Sequence, residues 1–460
     1  MDTPIYDMLL KMKNSNIYPF HMPGHKRNKL FMPSDMLNMD ITEVEGADSL
    51  HNPKGVIKKS LENLSKVFGS DYSFISVNGS SGGIISAVLS CCYEGDKIIV
   101  PVNCHKSVYS AVILSGAVPV YIEPEYFGYG IWGEVSAESV KEAIIKNENV
   151  KAVVITSPTY EGICSDIKTI SDICHEKNII LIVDEAHGAH MVFHNYFPKT
   201  ALMQGADIAI QSLHKTLMAM TQIAVVHIKG NRADKERLFK CISMTISTSP
   251  SYVFMGNIDY MLGMLNKNGK EIFNNYVCEL SEFRYKMKKL KNIFLIDKTN
   301  LDKSKLTFIM KKGNGINVSD FLLNKYGIML EYVSKGHFIA MTSPADTKEG
   351  FERLEKGIFE ADEKLYNEKD AEFIKSNFYL RKYKLNMRDA FFGKSEKVNF
   401  KESAGKVSAD FIIPYPPGIP VLTPGEVISK ELIQYVNNLK SQNAEIIGIN
   451  KGVINCVYNE

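Results

Sequence analysis

From about residue 58 to residue 228, continuous apolar runs alternate with amphipathic stretches. SLENLSKVFG has helical spacing, and SFISVN is a short apolar run. SSGGIISAVLSCCYEG reads as a loop and helix, KIIVPVN as a strand, and HKSVYSAVILSG as a helix stopped by Gly116. VPVYI follows as a strand. SAESVKEAIIKN is a helix capped by Ser136, KAVVITSPT a strand, and SDIKTISDICHEKN a helix. IILIVD, DIAIQS and QIAVVHIK complete the set. Seven strands thus lie between Phe74 and Ile228. Apolar runs of this kind, separated by amphipathic helices, predict an α/β sheet covered on both faces. In such sheets ligands collect at the carboxyl ends of the strands.

The flanks differ. Residues 1–50 read as irregular after one helix at Ile5–Met12, and Pro23-Gly24 forbids a regular helix through FHMPGHKRN. Long irregular segments ahead of a core often cover a site. Residues 232–290 read as helical with a break at STSPSY. Beyond them, NIFLIDKTNL, KLTFIMKK, VSDFLLNKYG and GHFIAMTS alternate strand and helix on a smaller scale, and FERLEKGIFEADEKLYNE is a long charged helix. NFYLRKYKLNMRDAFFGKSEKVNF has no clear period, and FIIPYPPGIPVLTPGE is too rich in Pro and Gly for regular structure. The expected division is an N-terminal segment 1–57, a large domain 58–290 and a small C-terminal α/β domain 291–460.

Composition narrows the class. With 45% hydrophobic and 23% charged residues, the chain reads as an ordinary globular protein. A net charge of +2 and the lack of a basic stripe argue against a polyanion, nucleic-acid or membrane-surface partner. No apolar run is long enough to span a bilayer, and MDTPIYDMLLKMKN lacks a signal core, so a cytoplasmic location is expected. The eight cysteines lack CxxC spacing and read as reduced core residues.

The chemistry gathers at the strand ends. DIAIQS runs into SLHKT, which puts Lys215 just past a strand. That lysine is either solvated along its stem or an amine aimed into a site. NIILIVD stops at Asp184 on the preceding strand, with His187 three residues on. An acid and a lysine on consecutive strand ends suit pyridoxal phosphate, the lysine as Schiff base and the acid on the ring nitrogen. The Asn78–Gly83 stretch, NGSSGG, is either a flexible βα turn or a phosphate loop at a helix N-terminus. His105 is either a capping residue or a ring that stacks on a cofactor. TSPTYEG brings hydroxyls and Glu161 to the same edge. Metal readings are weaker. Asp184, His187 and His190 do not match a standard zinc spacing, and His21 and His25 would need a helix. Cys104 reads as packing. No GxGxxG follows a first strand, which disfavours a dinucleotide enzyme.

FHMPGHK, NGSSGG, PVNCHKSVYSA, TSPTYEG, VDEAHGAH, QSLHKTL and PYPPGIPVLTPGE, in this order, resemble the Orn/Lys/Arg decarboxylase family of fold-type-I pyridoxal-phosphate enzymes. The resemblance runs from about residue 3 to residue 430, and the length resembles short bacterial members without an N-terminal wing domain. It implies a mostly parallel seven-stranded sheet with helices on both faces and a smaller C-terminal α/β domain. It implies Lys215 as the Schiff-base lysine and Asp184 as partner of the pyridinium nitrogen. His105 would stack on the ring and share the catalytic proton work with Lys215. Ser80, Ser81, Ser212 and His214 would hold the phosphate, and His187 would approach the phenolate oxygen. Val102 and Glu161 depart from the residues expected of the family; the second bears on substrate choice.

The implied reaction is decarboxylation of a basic amino acid to an amine and CO₂ in polyamine-type metabolism, with arginine favoured over lysine and ornithine. Glu161, Glu426, Glu45 and Asp48 are candidates for the substrate's distal cation. An aminotransferase or other pyridoxal-phosphate lyase would share Lys215 and Asp184, and a non-catalytic homologue would share the fold. At least a homodimer is expected, by analogy with the family.

Overall fold

The computed structural model describes residues 16–21, 23–29, 39–371, 382–415, 418–441 and 444–458; the helix expected at Ile5–Met12 lies outside them. Seven strands form the central sheet: β1 (Tyr72–Ser76), β2 (Lys97–Pro101), β3 (Val118–Ile122), β4 (Val150–Thr156), β5 (Ile180–Asp184), β6 (Ile208–Ser212) and β7 (Ala224–Ile228). Their spatial order is β1-β7-β6-β5-β4-β2-β3. Strand β7 is antiparallel to both its neighbours, and every other pairing is parallel.

The apolar runs explain this layering. Alternate residues of each strand point to opposite faces, and both faces are covered. Helix α1 (Val56–Phe68) precedes the sheet, and Ile98, Val100, Val154 and Ile182 meet the helices α2 (Gly79–Cys91) and α3 (Lys106–Ser115) on one side. Ile99, Val153, Ile155, Leu181 and Val183 meet α4 (Ala137–Lys146) and α5 (Ile167–Glu176) on the other. Caps fix where the helices start: Ser136 accepts from the Ser139 amide and Asp166 from the Thr169 amide. Helix α2 lies unusually close to the sheet. A Cβ on Gly83 would come within 2.7 Å of Val226 Cγ2 and 3.1 Å of Ile210 Cγ2. The expected Gly/Ser loop is therefore shorter than read, because Gly79 already opens the helix.

A further helix, Tyr252–Met287, runs 36 residues and joins two units. Its Phe273, Leu280 and Phe283 share one apolar cluster with Leu306, Phe308 and Phe338 of a four-stranded antiparallel sheet. That sheet comprises Ile293–Leu295, Lys305–Met310, His337–Met341 and Tyr332–Val333. Residues 398–456 build a separate cluster around Phe400, Ile412, Leu432 and Ile454.

Three stretches carry more regular structure than their sequences suggest. Tyr18–Phe20, expected to be irregular, pairs in parallel with Ile328–Leu330. The aperiodic charged stretch contains a helix at Met387–Phe392 and a strand at Ser395–Asn399, which pairs with Val453–Val457. The Pro-Gly-rich stretch contains a strand too. Ile413–Tyr415 pairs with Glu445–Ile447, and Pro414 is tolerated because a two-stranded ladder consists only of edges.

Candidate active site

Register brings the strand ends together. Thr156 pairs with Asp184, and Asp184 pairs with Ile210, so β4 and β5 end level while β6 runs on to Ser212. A single helical turn, Leu213–Thr216, then carries His214 and Lys215. These ends open on a cavity of about 540 Å³. Of the residues singled out from the sequence, Ser80, Ser81, His105, Glu161, Asp184, His187, His214 and Lys215 line it.

The cavity is a place where burial sets charge. Burial raises the Asp184 carboxyl above its ordinary range, and Lys215 and the Ala186 amide, 3.2 Å from Oδ1, only partly offset it. Burial lowers Lys215, with Asp184 opposing. The His105 ring is pushed down to about 4 by burial, then by Lys215 and Lys106, so it is neutral. Its Nδ1 lies 2.8 Å from Ser107 Oγ and accepts the Ser107 amide at 3.2 Å, which fixes the ring at the start of α3. Burial also pushes His214 down to about 4. Its Nδ1–H donates to the Ile223 carbonyl at 3.1 Å, so Nε2 carries a hydrogen only when the ring is protonated.

Four of the residues weighed from the sequence lie elsewhere. Ser212 is fully buried at the end of β6 and does not line the cavity. Glu426 accepts hydrogen bonds from Tyr383 at 2.6 Å and Thr423 at 2.8 Å, outside this cavity. Asp48 is engaged by the amides of Ser49, Lys54, Gly55 and Ile57 ahead of the helix Val56–Phe68. Glu45 is exposed on the loop before it. The histidines also part company, since His190 Nε2 lies 3.0 Å from buried Asp302 while His187 faces Lys215.

Sequence reasoning missed several walls and one buried residue, Lys305, behind them. Glu331 lines the cavity from beside the strand Ile328–Leu330 and accepts the Tyr160 hydroxyl at 2.8 Å. Trp132 arrives on a small hairpin, Tyr126–Gly128 with Ile131–Trp132. Lys305, fully buried at the start of its strand, contacts His187 Nδ1. Tyr415 and Ile419 reach in from the Pro-Gly-rich stretch, where the Gly418 carbonyl accepts the Lys106 amide at 3.1 Å. The available signal was an acid or amine at the border of an apolar run, in GIMLEYV and KLTFIM.

Comparison with known proteins places this arrangement. The model of the Orn/Lys/Arg decarboxylase major domain matches residues 3–346, and that of the C-terminal domain matches residues 371–458. The second match carries the likeness past residue 430. An arginine decarboxylase of Bacillus subtilis is 32% identical over 456 residues, covering 95% of this chain and 93% of that protein. One from Halalkalibacterium halodurans is 31% identical, covering 94% and 92%. Among solved structures, a Francisella novicida lysine decarboxylase superposes with a TM-score of 0.79 at 23% identity, over 99% of this chain and 81% of that one. The sheet order with one antiparallel strand, the converging strand ends and the two family matches lead to one assignment: this chain belongs to the Orn/Lys/Arg decarboxylase family.

Proposed function

We propose that the chain is a pyridoxal-phosphate-dependent decarboxylase of a basic amino acid, with arginine favoured over lysine and ornithine. The observation that carries this reading is the placement of Asp184 and Lys215 on adjacent strand ends of one cavity, an acid and an amine that burial shifts toward their uncharged forms. The similarity to proteins named arginine decarboxylase supports the substrate preference.

The residues fit the cofactor. Asp184 is a buried carboxyl short of cationic partners, which suits a protonated ring nitrogen. Asn103 Oδ1, Thr156 Oγ1 and Ser212 Oγ are buried without a hydrogen-bond partner among the described residues, and the first two residues line the cavity. Gly79, Ser80 and Ser81 present the N-terminus of α2, an anion-binding position. When bound, the cofactor supplies the electron sink that takes up the pair left by departing CO₂. Asp184 would keep the ring nitrogen protonated, and His105, neutral, would be the ring available to stack without adding charge. Ser80, Ser81 and His214 would serve the phosphate, whose charge would favour a hydrogen on His214 Nε2. His187 serves the phenolate oxygen. Lys215 would be the covalent anchor, and its Nζ would return a proton to the substrate Cα. Glu161 and Glu331 are the acids in reach of a distal cation. Burial raises Glu161, and a cationic substrate beside it would oppose that shift.

The proposed setting is cytoplasmic and polyamine-related, with at least a homodimer. Each of the eight cysteines is free, which suits a reducing compartment. No helix among the described residues is long and apolar enough to cross a membrane. Met39, Ile41 and Val44 are exposed along one short loop, which suits an interface between copies. The working division remains 1–57, 58–290 and 291–460, with the long helix ending at Met287 ahead of the last boundary.

The test is incubation of the purified chain and pyridoxal phosphate with arginine, lysine and ornithine separately. One substrate should yield its amine and CO₂ in equal amounts, and Lys215→Ala should abolish turnover. A 2-oxo acid product would reassign the chain as an aminotransferase. No turnover of any of the three would overturn the reading in favour of a non-catalytic homologue.

A further inference from the structure

His187 stands between two amines. Lys305 Nζ contacts its Nδ1, and Lys215 Nζ lies 3.2 Å from its Nε2. Burial above all holds the ring well below its ordinary pKa, so it is neutral and carries one hydrogen. One ring nitrogen therefore accepts, and the amine beside it donates. The other ring nitrogen donates, and the amine beside it must offer a lone pair. One of the two lysines is thus an uncharged amine.

The surroundings decide which. Besides the ring, Lys305 Nζ faces the Tyr160 carbonyl at 3.3 Å and Met341 Sδ at 3.9 Å. It also lies 5.6 Å from the centre of the Tyr160 ring. Three acceptors and an aromatic ring suit an ammonium, which has three hydrogens and no lone pair. Burial lowers Lys305 to about 8, with Asp302 opposing, which leaves it mostly charged at neutral pH. Lys215 Nζ has His187 as its hydrogen-bond partner among the described residues. The titratable groups that act on these two lysines are Asp184, Glu331, Glu161, Asp302, His105, His187 and His214.

We propose that Lys305 is a positioning residue that sets the tautomer of His187. Its ammonium donates to Nδ1, the ring carries its hydrogen on Nε2, and that N–H points at the lone pair of an uncharged Lys215. Lys215 is thereby ready to add to an aldehyde. The nitrogen lone pair forms the C–N bond, and the carbonyl oxygen leaves as water with the two amine hydrogens. The inference rests on Lys215 being the anchor proposed above, but it concerns the chain before loading.

The test reads Lys215 in the full chain freed of cofactor. Trace acetylation with acetic anhydride across pH, followed by mass spectrometry of the Lys215 peptide, gives its ionisation curve. In Lys305→Met the curve should move up by about one pH unit or more, which is about tenfold slower labelling at a fixed neutral pH. Lys305→Arg keeps the cation and should restore most of the wild-type curve. In a His187→Phe background the effect of Lys305→Met should shrink, because the ring no longer relays it. Nitrogen-15 NMR of His187 in the unmodified chain gives the tautomer directly and stays decisive if a variant does not fold. A hydrogen on Nδ1, or a Lys215 curve unmoved in folded Lys305→Met, overturns the proposal. A chain that shows the Nε2–H signature but decarboxylates nothing would leave the proposal standing and remove the functional reading instead.

Discussion

Gly418 lies against the imidazole of His105, and a Cβ built on it would sit 3.3 Å from Nε2. The same glycine has φ +94°, a conformation that side chains with a Cβ rarely adopt. Gly418→Ala should therefore act twice. The backbone strain costs about 1–3 kcal/mol, and the new methyl crowds the ring proposed to stack on the cofactor. Chemical denaturation should show the first effect, and titration with pyridoxal phosphate should show weakened binding. Unchanged cofactor affinity would separate this loop from the site.

Glu331 and Glu161 approach the cavity from different elements, and Tyr160 already donates to Glu331. Removing the charge of an acid that pairs with a distal ammonium or guanidinium loses about 1.5–3 kcal/mol. Glu331→Gln and Glu161→Gln should each be assayed for KM and kcat with the preferred amino acid. At least one should raise KM tenfold or more, about 1.4 kcal/mol, while kcat changes less. If KM is unchanged in both, neither acid reads the distal group.

Behind the site, Glu185 Oε1 accepts the Ala201 amide at 2.7 Å and Oε2 accepts Gln211 Nε2 at 2.7 Å. Gln211 Oε1 meets His227 Nε2 at 3.2 Å, and His227 Nδ1 meets Ser73 Oγ at 2.8 Å. Burial raises Glu185 from 4.5 to about 8 and lowers His227 from 6.5 to about 3. A carboxyl raised in the folded state contributes stability below its unfolded value that is lost as pH rises through the folded one. Folding stability should therefore decline between about 4.5 and about 8, by at most about 1.4 kcal/mol per pH unit from this group. His227 acts in the opposite sense: its contribution is full above 6.5 and lost as pH falls toward about 3. Denaturation of wild type and Glu185→Gln across pH checks the first slope, which should flatten in the variant.

Gly83 permits the close seat of α2 on β6 and β7. Gly83→Val should cost about 1–3 kcal/mol through overpacking, since neither Val226 nor Ile210 at the sheet centre has room to withdraw. Urea denaturation would measure it, and a neutral result would show that α2 can lift.

Much of this architecture is legible in the sequence because the strands that build it are buried on both faces. The IILIV and IAI runs at their centres are apolar throughout, as expected of strands covered on both faces. SEKVN is different. It alternates exposed and half-buried residues at the edge of a two-stranded ladder, and its charged side chains hide its pairing. For the site, strand-end residues such as Asp184 and Lys215 are legible because strand topology alone brings them together. Glu331 and Lys305 converge only through packing of the smaller sheet against the larger one, a relationship that no local period encodes. Asp48 and Glu426 mislead for a related reason. A carboxylate in a polar loop looks the same in sequence whether it binds a ligand, collects amides or accepts a tyrosine hydroxyl.

The short strand Tyr18–Phe20 extends a line that ends one residue before Glu331, because Phe20 pairs with Leu330. A few residues on, the Gly24 amide donates to the His214 carbonyl at 2.7 Å, and Lys26 Nζ donates to the Met341 carbonyl at 2.8 Å. This arm is thus a clasp fastened at one end to the turn that carries Lys215 and at the other to the strand that leads to Glu331. Unfastening it would let the Lys215 turn and Glu331 drift apart while the seven-stranded platform stayed whole, so the spacing between two walls of the cavity depends on a segment outside that platform.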